Sequence, residues 1–163
     1  MTDFINVIGA GLAGVEAAWQ AANLGAPVRL YEMRPVMQTP AHRTDKLAEI
    51  VCSNSLKTNE PATAPYLLKE ELRRGRSLVL EAADANKIPA GAALAVDRIK
   101  FAEMITERIE QHPNIEIVRE EIKEIPADGV SIIATGPLTS DALTASIMEM
   151  TGDDQLYFYD AIA

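Results

Sequence analysis

Three glycines near the start of the chain, Gly9, Gly11 and Gly14 in "VIGAGLAGVEAAW", have the GxGxxG spacing of a phosphate-cradling turn. Their roles differ. Gly9 makes the tight turn, Gly11 lets the backbone approach a pyrophosphate, and Gly14 lets a helix pack close to a strand. Ala10, Leu12 and Ala13 complete the candidate cofactor-binding loop. The helix opening there offers unpaired N–H groups and a positive dipole end to phosphates. Glu32 lies 18 positions beyond Gly14, where a carboxylate accepts hydrogen bonds from ribose hydroxyls. An acid there accepts a 2′-hydroxyl and repels a 2′-phosphate, so FAD or NAD is expected rather than NADP. Met33 and Arg34 continue the same turn and belong to the candidate cofactor site. The glycines alone are a weak signal; strand, helix and acid together make a nucleotide site.

A second signal favours FAD. "VSIIATGP" is an apolar strand closed by Ala134, Thr135 and Gly136, about 120 positions after the first turn. In two-dinucleotide-binding flavoproteins such a turn passes the cofactor again, where a bulky side chain would clash. The third chemical feature is Cys52 in "IVCSNSLK". A free cysteine is more often buried and inert than catalytic. Here His42, Arg43, Lys46 and Lys57 lie nearby in sequence and favour a thiolate, and Ser53, Asn54 and Ser55 add polar groups. Cys52 is therefore the candidate catalytic residue, with a packing role as the alternative.

These residues need a frame. Residues 4–8 read as a strand, 12–24 as a helix stopped by Gly25, and 26–32 as a second strand, which together make a βαβ unit. Residues 33–64 lack clean periodicity; so long a loop in a compact domain is usually functional or disordered, and its specific content favours function. The spacing predicts one helix over 65–86, with Leu68, Leu72, Val79 and Ala82 on one face and Gly75 in that stripe. Lys69, Arg73, Arg74 and Arg76 on this helix are expected to pair with neighbouring acids rather than to meet nucleic acid. A strand over 92–96 leads to Asp97, a candidate N-cap, and to a helix over 98–111. Residues 115–118 read as a strand that 120–125 continues after a bend. Residues 130–134 are a buried strand, 139–150 a helix, and 155–163 the start of another strand.

Composition sets outer bounds. The chain has 163 residues, about one domain, and is 48% hydrophobic, enough for a core. Fifteen Lys and Arg against 24 Asp and Glu give a net charge of −9. That balance argues against general nucleic-acid binding. Residues 34–58 depart from it, with Arg34, Arg43, Lys46 and Lys57 against Asp45 and Glu49. The single cysteine excludes an internal disulfide and a cysteine-based metal cluster, and no metal is expected. With no long apolar run and no signal-peptide pattern, a cytoplasmic protein is the simplest expectation.

Several stretches together, "INVIGAGLAGVEAAW", "LYEMRP", "IVCSNSLK", "LLKEELRR", "IPAGAALAVDR" and "VSIIATGPLTSDAL", resemble the folate- and FAD-dependent tRNA (uracil-5-)-methyltransferases from about residue 5 to residue 163. The fold this implies is α/β, a Rossmann-like FAD-binding domain with a parallel sheet, of the two-dinucleotide-binding flavoprotein type. The implied reaction moves a one-carbon unit from methylenetetrahydrofolate to C5 of uridine 54 in the tRNA T-loop. Reduced FAD, recharged by NADH or NADPH, supplies the electrons. A thiolate adding at C6 would make C5 nucleophilic, which gives Cys52 a use; whether it adds to the base, supports the site or only packs stays open.

Members of that family are longer. Residues 1–163 are accordingly expected to be the N-terminal part of an FAD-binding domain, incomplete as it stands. A second, tRNA-binding domain and the closing segment of the FAD domain are expected outside it. The alternatives are an FAD-binding fragment without catalysis of its own, and a sister FAD-dependent tRNA uridine-modifying enzyme. An ordinary FAD or NAD oxidoreductase would need a redox cysteine pair or a plain dehydrogenase site, and neither is seen.

Overall fold

The computed structural model describes residues 4–152. The chain opens with β1 (Ile5–Ile8), α1 (Leu12–Asn23) and β2 (Val28–Tyr31). Asn6, Val7 and Ile8 are all buried, so β1 is covered on both faces as a central parallel strand is, while Val28 and Leu30 bury one face of β2. α1 buries Gly14, Val15, Ala18 and Ala22. Small residues at positions 14, 18 and 22 let the helix lie close on the sheet.

The long segment after β2 folds into a second layer before the chain returns. It holds β3 (Ser55–Thr58), α2 (Ala64–Arg74), α3 (Leu78–Ala85), β4 (Lys87–Ile88), β5 (Ala93–Val96) and α4 (Arg98–Glu110). β3, β5 and β4 form a small antiparallel sheet in that order. Phe101, Ile105 and Ile109 of α4 join Leu78 and Leu80 of α3 in the main core beneath α1. Asp97 caps α4 by accepting from the N–H groups of Ile99 and Lys100. The chain then adds β6 (Ile115–Val118), β7 (Val130–Ile133) and α5 (Asp141–Thr151).

The main sheet is wholly parallel, ordered β6-β2-β1-β7. Ile8 is level with Tyr31 on one side and Ile133 on the other, so three strand ends reach the same height. This is the Rossmann-like α/β fold expected, with the sheet order reversing at β1.

Several expectations need correction. The strand expected to be buried over 130–134 forms as β7 at the edge of the sheet, with Val130 and Ile133 exposed. The helix expected over 65–86 is two helices. Gly75 ends α2, Arg76 takes a left-handed φ of 57°, and Ser77 caps α3 by accepting from Leu80 N–H. α2 also faces the opposite way: Leu68 and Leu72 are exposed, while Lys69 is buried and donates to the carbonyls of Thr58 (2.8 Å) and Pro65 (3.2 Å). Residues 120–125 form no strand; Ile122 and Ile125 pack against Ile8, Tyr31 and Leu143 instead.

The region 33–64 is also more than a loop. It carries β3, and Leu47, Ala48 and Ile50 are buried in the core. Bonds from Ala48 N–H to Ala10 carbonyl (2.8 Å) and from Leu47 N–H to Thr106 Oγ1 (2.9 Å) fasten it. The strand expected over 155–163 lies outside the described residues. Among those described, no helix is long and apolar enough to cross a membrane.

Candidate functional site

The C-terminal ends of β1, β2 and β7 open into one cleft of about 300 Å³. In an open parallel sheet, the point where strand order reverses is where a ligand crevice forms. The glycine turn forms one wall, and its three glycines serve different ends. Gly9 has a φ of 98°, and a Cβ there would lie 2.8 Å from Thr135 Cα. At Gly14 a Cβ would lie 1.7 Å from the Gly9 carbonyl oxygen. Those two glycines permit chain-to-chain contact. Gly11 differs: a Cβ there would meet nothing within 4 Å. It is also the N-cap of α1, and no side chain caps that helix or adds an acid to its first turn. The first-turn N–H groups therefore face a space that a phosphate can fill.

The other wall is the turn after β7. Ala134 N–H donates to the Ile8 carbonyl at 2.8 Å, which brings Ala134, Thr135 and Gly136 beside Gly9. All three line the cleft, together with Gly9, Ala10, Gly11, Leu12 and Ala13. Gly14 lies beneath the turn rather than on the cleft wall.

Glu32, Met33 and Arg34 line the cleft from the end of β2. Glu32 is 6% exposed. Oε2 accepts from Ala10 N–H at 3.3 Å, and Oε1 accepts from Arg34 N–H at 3.0 Å and Arg34 Nε at 2.8 Å. Burial alone would raise this carboxyl; the hydrogen bonds and charge of Arg34 outweigh it and hold Glu32 below its ordinary value. Arg34 is 1% exposed, and its Nη1 donates to Glu49 Oε2 and the Thr44 carbonyl, both at 3.1 Å. Glu49 also accepts from Arg43 N–H, Thr44 N–H and Thr44 Oγ1. These bonds outweigh its burial, and its carboxyl too is held low.

His42 and Val51, further along the segment after β2, also line the wall. His42 Nδ1 lies 2.6 Å from Thr39 Oγ1, and burial, followed by the charge of Arg34, lowers the imidazole below its ordinary value. Cys52 is exposed. It stands beside Val51 in sequence but is not itself on the cleft wall.

Sequence reasoning missed several wall residues. Thr139 and Ser140 follow a 3₁₀ turn at Gly136–Leu138, and Thr139 Oγ1 lies 2.6 Å from Thr135 Oγ1. Ser140 caps α5 by accepting from Leu143 N–H, a signal present in "TSDAL". Glu120, Glu121 and Ile122 also reach the cleft, with no sequence pattern marking them. Among the described residues no group of three or more His, Cys, Asp or Glu is placed to hold a metal ion.

Residues 4–163 match the family described as Glucose inhibited division protein A. The chain is 60% identical over 163 residues to the methylenetetrahydrofolate–tRNA-(uracil-5-)-methyltransferase TrmFO of Bacillus licheniformis, covering 100% of this chain and 37% of that protein. It is 60% identical over 159 residues to the protein of the same description from Bacillus subtilis, covering 98% of this chain and 36% of the relative. The chain thus spans little more than a third of the length of these relatives. Among solved structures, that of FqzB superposes with a TM-score of 0.52 at 16% identity, covering 93% of this chain and 39% of FqzB. That likeness is one of fold.

Proposed function

We propose, from the premise that this chain belongs to the Glucose inhibited division protein A family, that its cleft is the FAD site of a folate-dependent tRNA (uracil-5-)-methyltransferase. The carrying observation is the glycine cradle: Gly11 leaves open space before an uncapped helix start, with Glu32 at the neighbouring strand end. The 60% identity to proteins described as TrmFO supports the chemistry.

The residues present fit the cofactor. The α1 N–H groups and the Gly11 gap would take the pyrophosphate, and Glu32 the adenosine ribose. Ala134, Thr135 and Gly136 would border the cofactor from the second turn. The bound flavin, once reduced, would supply the electrons that turn a transferred methylene into methyl. NADH or NADPH is proposed as their source, and methylenetetrahydrofolate as the carbon donor.

Cys52 is proposed as the thiol that adds to C6 of the target uracil, uridine 54 of the T-loop, so that C5 becomes nucleophilic. Its exposure, one residue from a cleft-lining side chain, suits a group that meets a base arriving from solvent. The tRNA is proposed to be held mainly by parts of the longer protein outside these residues. A cytoplasmic setting accords with a tRNA substrate.

Methylation by the full-length protein tests this reading. Yellow protein that forms 5-methyluridine at position 54 only with methylenetetrahydrofolate supports it. Colourless protein, or activity independent of folate, overturns it.

A further inference from the structure

We propose that Arg34 and Glu49 are positioning residues that set nucleotide selectivity, holding Glu32 as an ionised ribose reader while cancelling a guanidinium that would otherwise accept a 2′-phosphate. The inference rests on the nucleotide reading of the cleft and extends it to discrimination among nucleotides.

The sequence "YEMRP" carries opposed signals. An acid at the end of the second strand selects a ribose 2′-hydroxyl, whereas an arginine close to that position accommodates a 2′-phosphate. Glu32 and Arg34 supply both, two residues apart. The side-chain geometry resolves the conflict. The Arg34 side chain is 2% exposed and lies between two carboxylates, with Nε at 2.8 Å from Glu32 Oε1 and Nη1 at 3.1 Å from Glu49 Oε2. A third acceptor, the Thr44 carbonyl, also takes Nη1 at 3.1 Å. Two carboxylates thus surround one guanidinium, and the cluster keeps a negative excess next to the ribose position.

Glu49 is placed for this from the far side. Its oxygens accept from Arg43 N–H at 3.0 Å, Thr44 N–H at 3.1 Å and Thr44 Oγ1 at 2.8 Å. Arg119 Nη1 is held by the carbonyls of Arg34 (3.0 Å) and Asp45 (2.8 Å). Glu120 and Glu121 add acidic groups to the cleft wall. On the cleft wall itself the carboxylates Glu32, Glu120 and Glu121 outnumber the one arginine, Arg34, so a 2′-phosphate meets a net negative lining.

The test compares adenosine 5′-diphosphate with its 2′-phosphorylated form, each titrated by calorimetry into the flavin-free full chain. The parent is expected to prefer the 2′-hydroxyl form. Glu49→Gln leaves Arg34 with one carboxylate, and the preference should fall about tenfold or more, the effect of one uncompensated charge at this range. Thr44→Val removes one bond to Glu49 from the solvent side and should lower the preference in the same direction, less far. Loss of cooperative melting in Glu49→Gln leaves Thr44→Val to decide. A preference unchanged in the folded variants overturns the positioning role while leaving the nucleotide site standing. A parent that binds neither compound overturns the nucleotide reading itself, and this inference with it.

Discussion

Glu32 Oε1 and Arg34 Nε lie 2.8 Å apart at the end of β2, with both side chains almost wholly removed from solvent. A buried ion pair is strongly coupled to the fold, because removing one member takes a partner from a charge that stays buried, and Arg34 would keep only Glu49. Glu32→Ala is therefore expected to act twice. It should cost about 3 kcal/mol of stability, the usual result of breaking a buried pair. It should also weaken FAD binding by about 1.5–3 kcal/mol, the worth of hydrogen bonds to a charged group. Urea denaturation without ligand and flavin titration read the two effects separately. An unchanged flavin dissociation constant would place the ribose elsewhere.

Gly11 and Gly14 should fail in opposite ways. Gly11→Val puts its side chain into open space, so the chain should fold and lose flavin. Gly14→Ala drives a Cβ into the Gly9 carbonyl, so the chain should lose about 3 kcal/mol or more of stability through overpacking. Melting curves paired with flavin absorbance separate the outcomes. Normal flavin occupancy in Gly11→Val would contradict the cradle.

Stability should fall on acidification in two stages. His42 is held below its ordinary 6.5 by burial and then by Arg34, so the unfolded chain takes that proton first. Stability is whole above 6.5 on this account and declines as pH drops toward the folded value. Glu32 and Glu49 are held below their ordinary 4.5, so their contribution is complete above 4.5 and is lost as pH falls through the folded values. Urea midpoints across acid pH should show both limbs, and Glu49→Gln should flatten the lower one.

Arg73 and Arg74 should separate sharply. Arg73 donates to Asp84 through Nε (2.7 Å) and Nη2 (2.8 Å) and to Glu70 through Nη1 (2.7 Å). The Asp84 bond, followed by that to Glu70, raises its pKa against partial burial. Arg73→Ala should cost about 2 kcal/mol, as expected for charge-assisted bonds joining α2 to α3. Arg74→Ala, on the exposed side, should cost little. A reduced salt slope of tRNA binding in the double variant would give these arginines a nucleic-acid role instead.

Cys52→Ala in the full-length enzyme should keep its flavin and lose most methylation. Methylation at the parental rate would make Cys52 dispensable and move the attacking thiol elsewhere.

The βαβ half of the fold was legible because its signals are local. An apolar run, three glycines at fixed spacing and an acid at the next strand end all lie within the first 32 positions. The junction of Gly9 with Ala134 and Thr135 was foreshadowed by the small residues of the second turn. The embrace of Arg34 by Glu49 was not legible, since it depends on how an aperiodic segment folds back. The break at residues 75–77 was hidden by a stripe of apolar residues that continued through it. There Lys69 of α2 found the Thr58 carbonyl inside, Arg73 met the half-exposed Asp84 of α3, and the leucines were left outside.

The contact between the two turns has a consequence for the birth of the protein. Strand β1 is level with β7, and Asn6 reaches across 122 positions to donate to the Asp128 carbonyl. The second wall of the cradle is thus supplied only near the end of the described chain. During synthesis the first turn emerges early and waits, half-built, while the intervening layer is made. Such long-range pairing is slow to close, because its entropy must be lost before its contacts form. A ribosome stalled before β7 should therefore display a chain that cannot retain flavin, and only one that has released the full-length chain should yield a protein that can.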